Sequence, residues 1–148
     1  MAACAVTGLP LAWEIRPGRD ADMRSVPRLL DQLAERGVPF ETVAMDKGYD
    51  YKDVYEDCER HGAIAVVSKR TNSGTGNGPI DRATDRFKRL YRMRAKVEGE
   101  FGRLKTVNGL TPLRSRGLQK VQTHADLCLI ARLAISLQLN TKSFAESP

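Results

Sequence analysis

Asp46 and Glu98 are the acids that sequence best places for chemistry. Asp46 follows the apolar run Phe40 to Met45 and opens the segment Asp46-Lys47-Gly48-Tyr49-Asp50. Such a run reads as a buried strand. An acid just beyond a strand's carboxyl end reaches the crevice in which open α/β sheets hold their ligands. Gly48 lets the chain turn sharply there. Asp is also a common turn residue and helix cap, so position alone leaves both roles open.

Glu98 belongs to a second pattern. Tyr91, Arg94, Glu98 and Lys105 are separated by three, four and seven residues. On one helix, at about 100° per residue, they fall within roughly a 60° arc and line a stripe ~21 Å long. Leu90, Val97, Phe101 and Leu104 form an apolar stripe about 100° away, suited to packing on a sheet. A carboxylate among so many cations is ionised. With Asp46 it can hold a hard divalent cation, whose suitable ligands are carboxylate oxygens. The Tyr91 ring can stack on a base, and the cations can hold phosphates. The plainer alternative is that Arg94 and Glu98, at i,i+4, form a surface ion pair and nothing more.

The elements that must position these residues follow from periodicity. Residues 3–16 read as two strands about a turn at Thr7-Gly8, with Val6, Leu9, Leu11, Trp13 and Ile15 alternating. Pro10 fits an edge strand or the first residues of one. Residues 24–36 read as a helix capped by Ser25, with Pro27 in its first turn and Gly37 at its end. Its stripe is Val26, Leu29, Leu30 and Leu33. After the strand at 40–45, a helix spans about Lys52 to Arg60, stopped by His61-Gly62, and Ala63 to Val67 form another strand. This order predicts a mixed sheet carrying helices. Residues 71–79 are Gly-rich and read as a flexible linker, though no Gly-Lys-Ser/Thr makes them a phosphate loop. A single long helix is expected from about Asp81 to Lys105. Another is expected from about Val121 to Leu139, with Leu127, Ile130, Leu133, Ala134 and Leu137 on its packed face. The polar tail should fray. The expected division is therefore a sheet portion at 1–70, a flexible loop at 71–80 and a helical portion at 81–148.

Composition narrows the class of partner. The 148 residues carry a net charge of +6, distributed unevenly. Residues 1–79 sum to −2 and residues 80–120 to +8. A basic block this dense either contacts phosphate or is a solvated helix face. No apolar run is long enough to span a membrane, and no signal peptide opens the chain. A cytoplasmic protein is expected. Cys4, Cys58 and Cys128 are far apart and read as reduced thiols, and neither histidine has neighbours at zinc-ligand spacing.

Taken together, Tyr91-x2-Arg94-x3-Glu98-x6-Lys105 resembles the tyrosine–arginine–glutamate–lysine signature of DDE transposases of bacterial insertion sequences. Val97 to Lys105, and Arg116-Gly117-Leu118 leading to His124 and an apolar helix, also resemble that family. So do Thr7 to Ala12, like its second and third strands, and Asp46-Lys47-Gly48-Tyr49, like the segment holding its second acid. The resemblance implies a ribonuclease-H-like fold and two divalent ions, usually Mg²⁺. It implies cleavage of DNA at transposon ends, then joining of the freed 3′-hydroxyl to a target strand. On this mapping Asp46 and Glu98 are the second and third catalytic acids and metal ligands. Arg94 and Lys105 hold phosphates and Tyr91 packs on DNA. Arg103, Arg114 and Arg116 are further candidates for DNA contact.

In that family the first Asp ends a first strand ahead of the hairpin that opens this chain. The expectation is therefore a ribonuclease-H-like mixed sheet lacking its first strand, with a helical C-terminal part. Such a truncated chain, nucleoid-associated through DNA, is expected to be inactive and poorly folded alone. An upstream polypeptide would supply the first Asp, and a homodimer is a further expected assembly. The alternatives are a non-catalytic DNA-binding remnant or regulator of the parent element, and a metal-dependent nuclease that does not transpose.

Overall fold

The structure, a computed structural model, describes residues 1–71, 78–114 and 116–145, with side chains described as far as Leu139. Most of the expected linker, residues 72–77, and the end of the expected tail, 146–148, lie outside the described residues.

The opening hairpin is short. β1 (Ala2–Ala3) pairs antiparallel with β2 (Pro10–Ala12) around a turn in which Gly8 takes φ 78°. Pro10 is the first residue of its strand, where its missing N–H costs no ladder bond. A 3-10 turn at Asp22–Ser25 leads into α1 (Val26–Glu35), which carries Pro27 in its first turn. Ser25 occupies the cap position but makes no capping bond, because its backbone is already helical from the preceding turn. Gly37, at φ 65°, ends the helix.

β3 (Thr42–Met45) runs parallel to β4 (Ile64–Val67), with α2 (Lys52–Arg60) as the crossover. The expected buried strand at β3 is only half buried, whereas β4 is almost wholly enclosed. The expected single mixed sheet is also corrected. Among the described residues the strands form two separate pairs, β1–β2 and β3–β4. The core joins Ala12, Val26, Leu30, Leu33, Val54, Cys58 and the inward residues of β4.

The expected helix over 81–105 is two helices. α3 (Asp85–Arg92) is capped by Thr84, whose hydroxyl accepts from Phe87 N–H at 3.2 Å. α4 (Ala95–Thr106) follows after a corner at Met93-Arg94. There N–H groups bond three residues back: Arg94 to Tyr91, Lys96 to Met93, and Val97 to Arg94. These tighter turns break the α-helical ladder without any Pro or Gly to announce it. The single 21 Å stripe therefore does not exist.

α5 (Leu118–Ala145) is longer than expected and packs by a different face. Ala125, Cys128, Leu129 and Arg132 are buried, while Leu127, Ile130, Ala134 and Leu137 of the expected face are exposed. The helix is apolar on several sides, so hydropathy could not select the packed one. Its seat is fixed by charge. Arg132 donates to both oxygens of Glu100 on α4, at 2.6 and 3.2 Å, and both side chains are buried. Trp13 adds a bond from its indole N–H to Asp126 at 2.7 Å.

Removing one partner of a buried pair strands the other charge. Arg132→Met is expected to cost about 3–5 kcal/mol in urea unfolding, with part of the loss recovered when Glu100→Leu is added. Equal stability of the single variant and the parent chain would show that the pair is not needed.

Candidate active site

Asp46 sits where β3 ends. Its carboxylate accepts from Gly48 N–H at 2.7 Å, starting a short 3-10 turn over Lys47–Tyr49. A Cβ at position 48 would lie 2.9 Å from that same oxygen, so glycine is needed there for close approach rather than for a positive φ. Both readings of Asp46 are thus compatible with its place: it caps a turn, and it remains exposed.

Glu98 lies on the first turn of α4. Asp46, Arg94 and Glu98 all line one cavity of about 1030 Å³, although 52 residues separate the two acids in sequence. Arg94 is paired with Glu98 through its guanidinium. Its affinity for its proton is raised first by that hydrogen bond, against the opposing effect of burial, with smaller contributions from the charges of Tyr91, Glu98 and Asp46. The Arg94 Nε is buried without a partner. The same guanidinium lies 5.3 Å from the Tyr91 ring, which stacks on Phe87 at 5.6 Å. Tyr91 is thereby held by protein contacts on the α3 side of the corner, and Arg94 bridges that side to Glu98.

The remaining expected contacts are spread out. Arg103 and Lys105 are exposed on α4, and Arg103 approaches Glu100 at 3.9 Å. Arg114 and Arg116 are exposed in the segment between α4 and α5. The cavity also takes in residues that spacing did not single out, Glu14 and Arg16 among them, and Asp20 and Asp22, known beforehand only as polar positions after the hairpin. Arg16 pairs with Glu14 and Asp20 at 3.5 and 3.0 Å. Tyr49, at the same edge, has its phenol pushed up by burial first and then by the charges of Asp22 and Asp46.

Sequence reasoning missed the network that holds this corner. Asp50 is buried and accepts from Arg70 N–H at 2.9 Å, Tyr55 hydroxyl at 2.7 Å and Arg82 at 3.1 Å. Arg82 also donates to the Val67 carbonyl at 3.0 Å, at the end of β4. Asp50 in the segment after Asp46 was the one available signal; the spacing of 32 residues to Arg82 carried none.

The carboxylates of Asp46 and Glu98 suit a hard divalent cation in kind. They fall short in number: among the described residues no three His, Cys, Asp or Glu side chains gather closely enough to hold a metal. Nor is any described helix long and apolar enough to cross a membrane.

Comparison with known proteins agrees with this arrangement. The family model of the transposase DDE domain matches residues 1–134. The chain belongs to the transposase DDE domain family, whose members are transposases that act on DNA and generally use divalent metal ions. No curated protein and no solved structure matches it significantly.

The Asp50 network has a titration signature. Burial, then the hydrogen bond to Asp50, push the Tyr55 phenol up to about 12. Its folded pKa exceeds its unfolded value, so its stabilising contribution is complete below pH ~10 and is lost as pH rises toward 12. Ultraviolet titration should show one tyrosine ionising near pH 12, and Asp50→Asn should bring it down. A set of tyrosines all ionising near pH 10 would contradict the network.

Proposed function

We propose that this chain contributes two of the three acids of a metal-dependent DNA transposition site, Asp46 and Glu98, and does not cut DNA unaided. The observation that carries the reading is the convergence of Asp46, Arg94 and Glu98 on one cavity from β3 and α4. Asp46 and Glu98 would hold Mg²⁺ or a similar ion through carboxylate oxygens. When bound, that ion supplies activation of an attacking oxygen and stabilisation of the leaving oxygen. Arg94 holds Glu98 ionised and in place, and is itself free to trade that carboxylate for a phosphate when DNA arrives, since both are met by the same planar fork. Lys105, Arg103, Arg114 and Arg116 provide exposed positive charge for the phosphate backbone, and Tyr91 packs at the edge of that surface. The third acid comes from an upstream polypeptide. The residues from 1 to 70 then act as the sheet portion and those from 81 onward as the helical, DNA-contacting portion.

A second reading, a DNA-binding protein of the parent element without catalysis, draws on the absence of a three-acid cluster among the described residues. Two measurements separate them. Mn²⁺ binding followed by electron paramagnetic resonance should weaken at least tenfold in both Asp46→Asn and Glu98→Gln. Binding of duplex DNA should depend steeply on salt, with Lys105→Gln or Arg116→Gln lowering the slope of log K against log salt by about 1. Mn²⁺ affinity unchanged in both acid variants, with DNA binding intact, would leave only the second reading.

A further inference from the structure

The two strand pairs each present an unpaired edge, and both edges line the same cavity. Ile64 N–H donates to the Glu41 carbonyl at 2.8 Å, and Thr42 stands opposite Ile64 in the ladder. In a parallel ladder successive residues bond to opposite sides, so Glu41 and Val43 address β4. Thr42 and Ala44 therefore turn their N–H and C=O groups toward the cavity. On the other wall, Cys4 N–H donates to Leu9 at 2.9 Å and its carbonyl accepts from Gly8 at 2.8 Å. Cys4 thus spends both groups inside the hairpin, and Ala3 turns the other way.

Between these edges the walls are apolar. Leu29, Leu30 and Leu33 of α1 line the cavity, and so do Val97 and Phe101 of α4. A helix approaching this space could not satisfy the strand edges, because its own backbone groups are already bonded. A small apolar molecule would fill volume and leave the same groups unpaired, which is costly away from water. An extended backbone answers both requirements.

We infer that the space between β1 and β3 is the seat of one β-strand from a separate polypeptide segment, about five residues long and apolar on both faces. The length follows from β3, whose four residues span about 13 Å at ~3.3 Å each. Apolar side chains on both faces follow from walls on both sides, as in a strand buried in a sheet. Seating it would join the two pairs into one five-stranded sheet. The inference rests on the proposed function only in taking the upstream polypeptide as the source of the strand; the backbone geometry stands without it.

The test uses the full chain, metal-free, with a synthetic peptide of sequence Lys-Lys-Val-Leu-Val-Leu-Val-Lys-Lys. Amide exchange is followed residue by residue by NMR. The peptide should slow exchange at Thr42, Ala44 and Ala3 together by at least tenfold. A version with proline at the central valine should not, because proline removes a donor and resists a central strand. Slowing at one edge alone, equal slowing by both peptides, or no slowing at all would overturn the inference. Slowing that grows with protein concentration in the absence of peptide would assign the seat to a second copy and overturn the separate segment. Because no metal is present, failure here is distinct from failure of the Mn²⁺ measurement.

Discussion

Asp50 is 2% exposed, and a carboxylate taken that far from water must be met by donors from several sides. Its donors come from distant parts of the chain: the backbone after β4, the Tyr55 hydroxyl on α2, and Arg82 ahead of α3. Arg82 completes the tie by reaching the last carbonyl of β4. Each partner brings a segment with it. The turn that carries Asp46 is therefore held within four residues of a fixed point, and the start of α3 is drawn to the same end of the β3–β4 pair. Everything downstream, including the corner that delivers Arg94 and Glu98, is placed from there.

The corner at Met93-Arg94 has a comparable effect on chemistry. Had the helix run straight, Tyr91 and Glu98 would have shared a long face. The tightened turns instead let α3 pack on β3 and β4 while α4 crosses toward β1. Arg94, at the bend, can then lie against the Tyr91 ring and pair with Glu98, within the electrostatic reach of Asp46. A permanent cation beside two carboxylates offsets their mutual repulsion, so the acids can face one cavity while both remain ionised.

Charge also decides how α5 is seated. The Glu100–Arg132 pair exchanges solvent for a bidentate contact, a geometry that few alternative registers of the two helices could reproduce. This leaves Leu127, Ile130 and Leu137 outward, although their hydropathy alone would have placed them inside.

Local signals carried much of the fold. Gly37 and Gly62 marked helix ends, Pro10 marked a strand start, and the spacing of Leu30 and Leu33 gave the packed face of α1. Those features depend on backbone conformation and periodicity over a few residues, which sequence encodes directly. The types and intervals of Tyr91, Arg94, Glu98 and Lys105, with Asp46-Lys47-Gly48-Tyr49, also sufficed to suggest the transposase DDE domain. Tertiary structure decided the rest. Whether β1–β2 meets β3–β4, where α3 bends into α4, which side of α5 is covered, and which donors reach Asp50 all depend on partners 15 to 50 or more residues away. Such contacts form only when buried charge and unpaired backbone find complements in space, and no interval along the chain records that requirement.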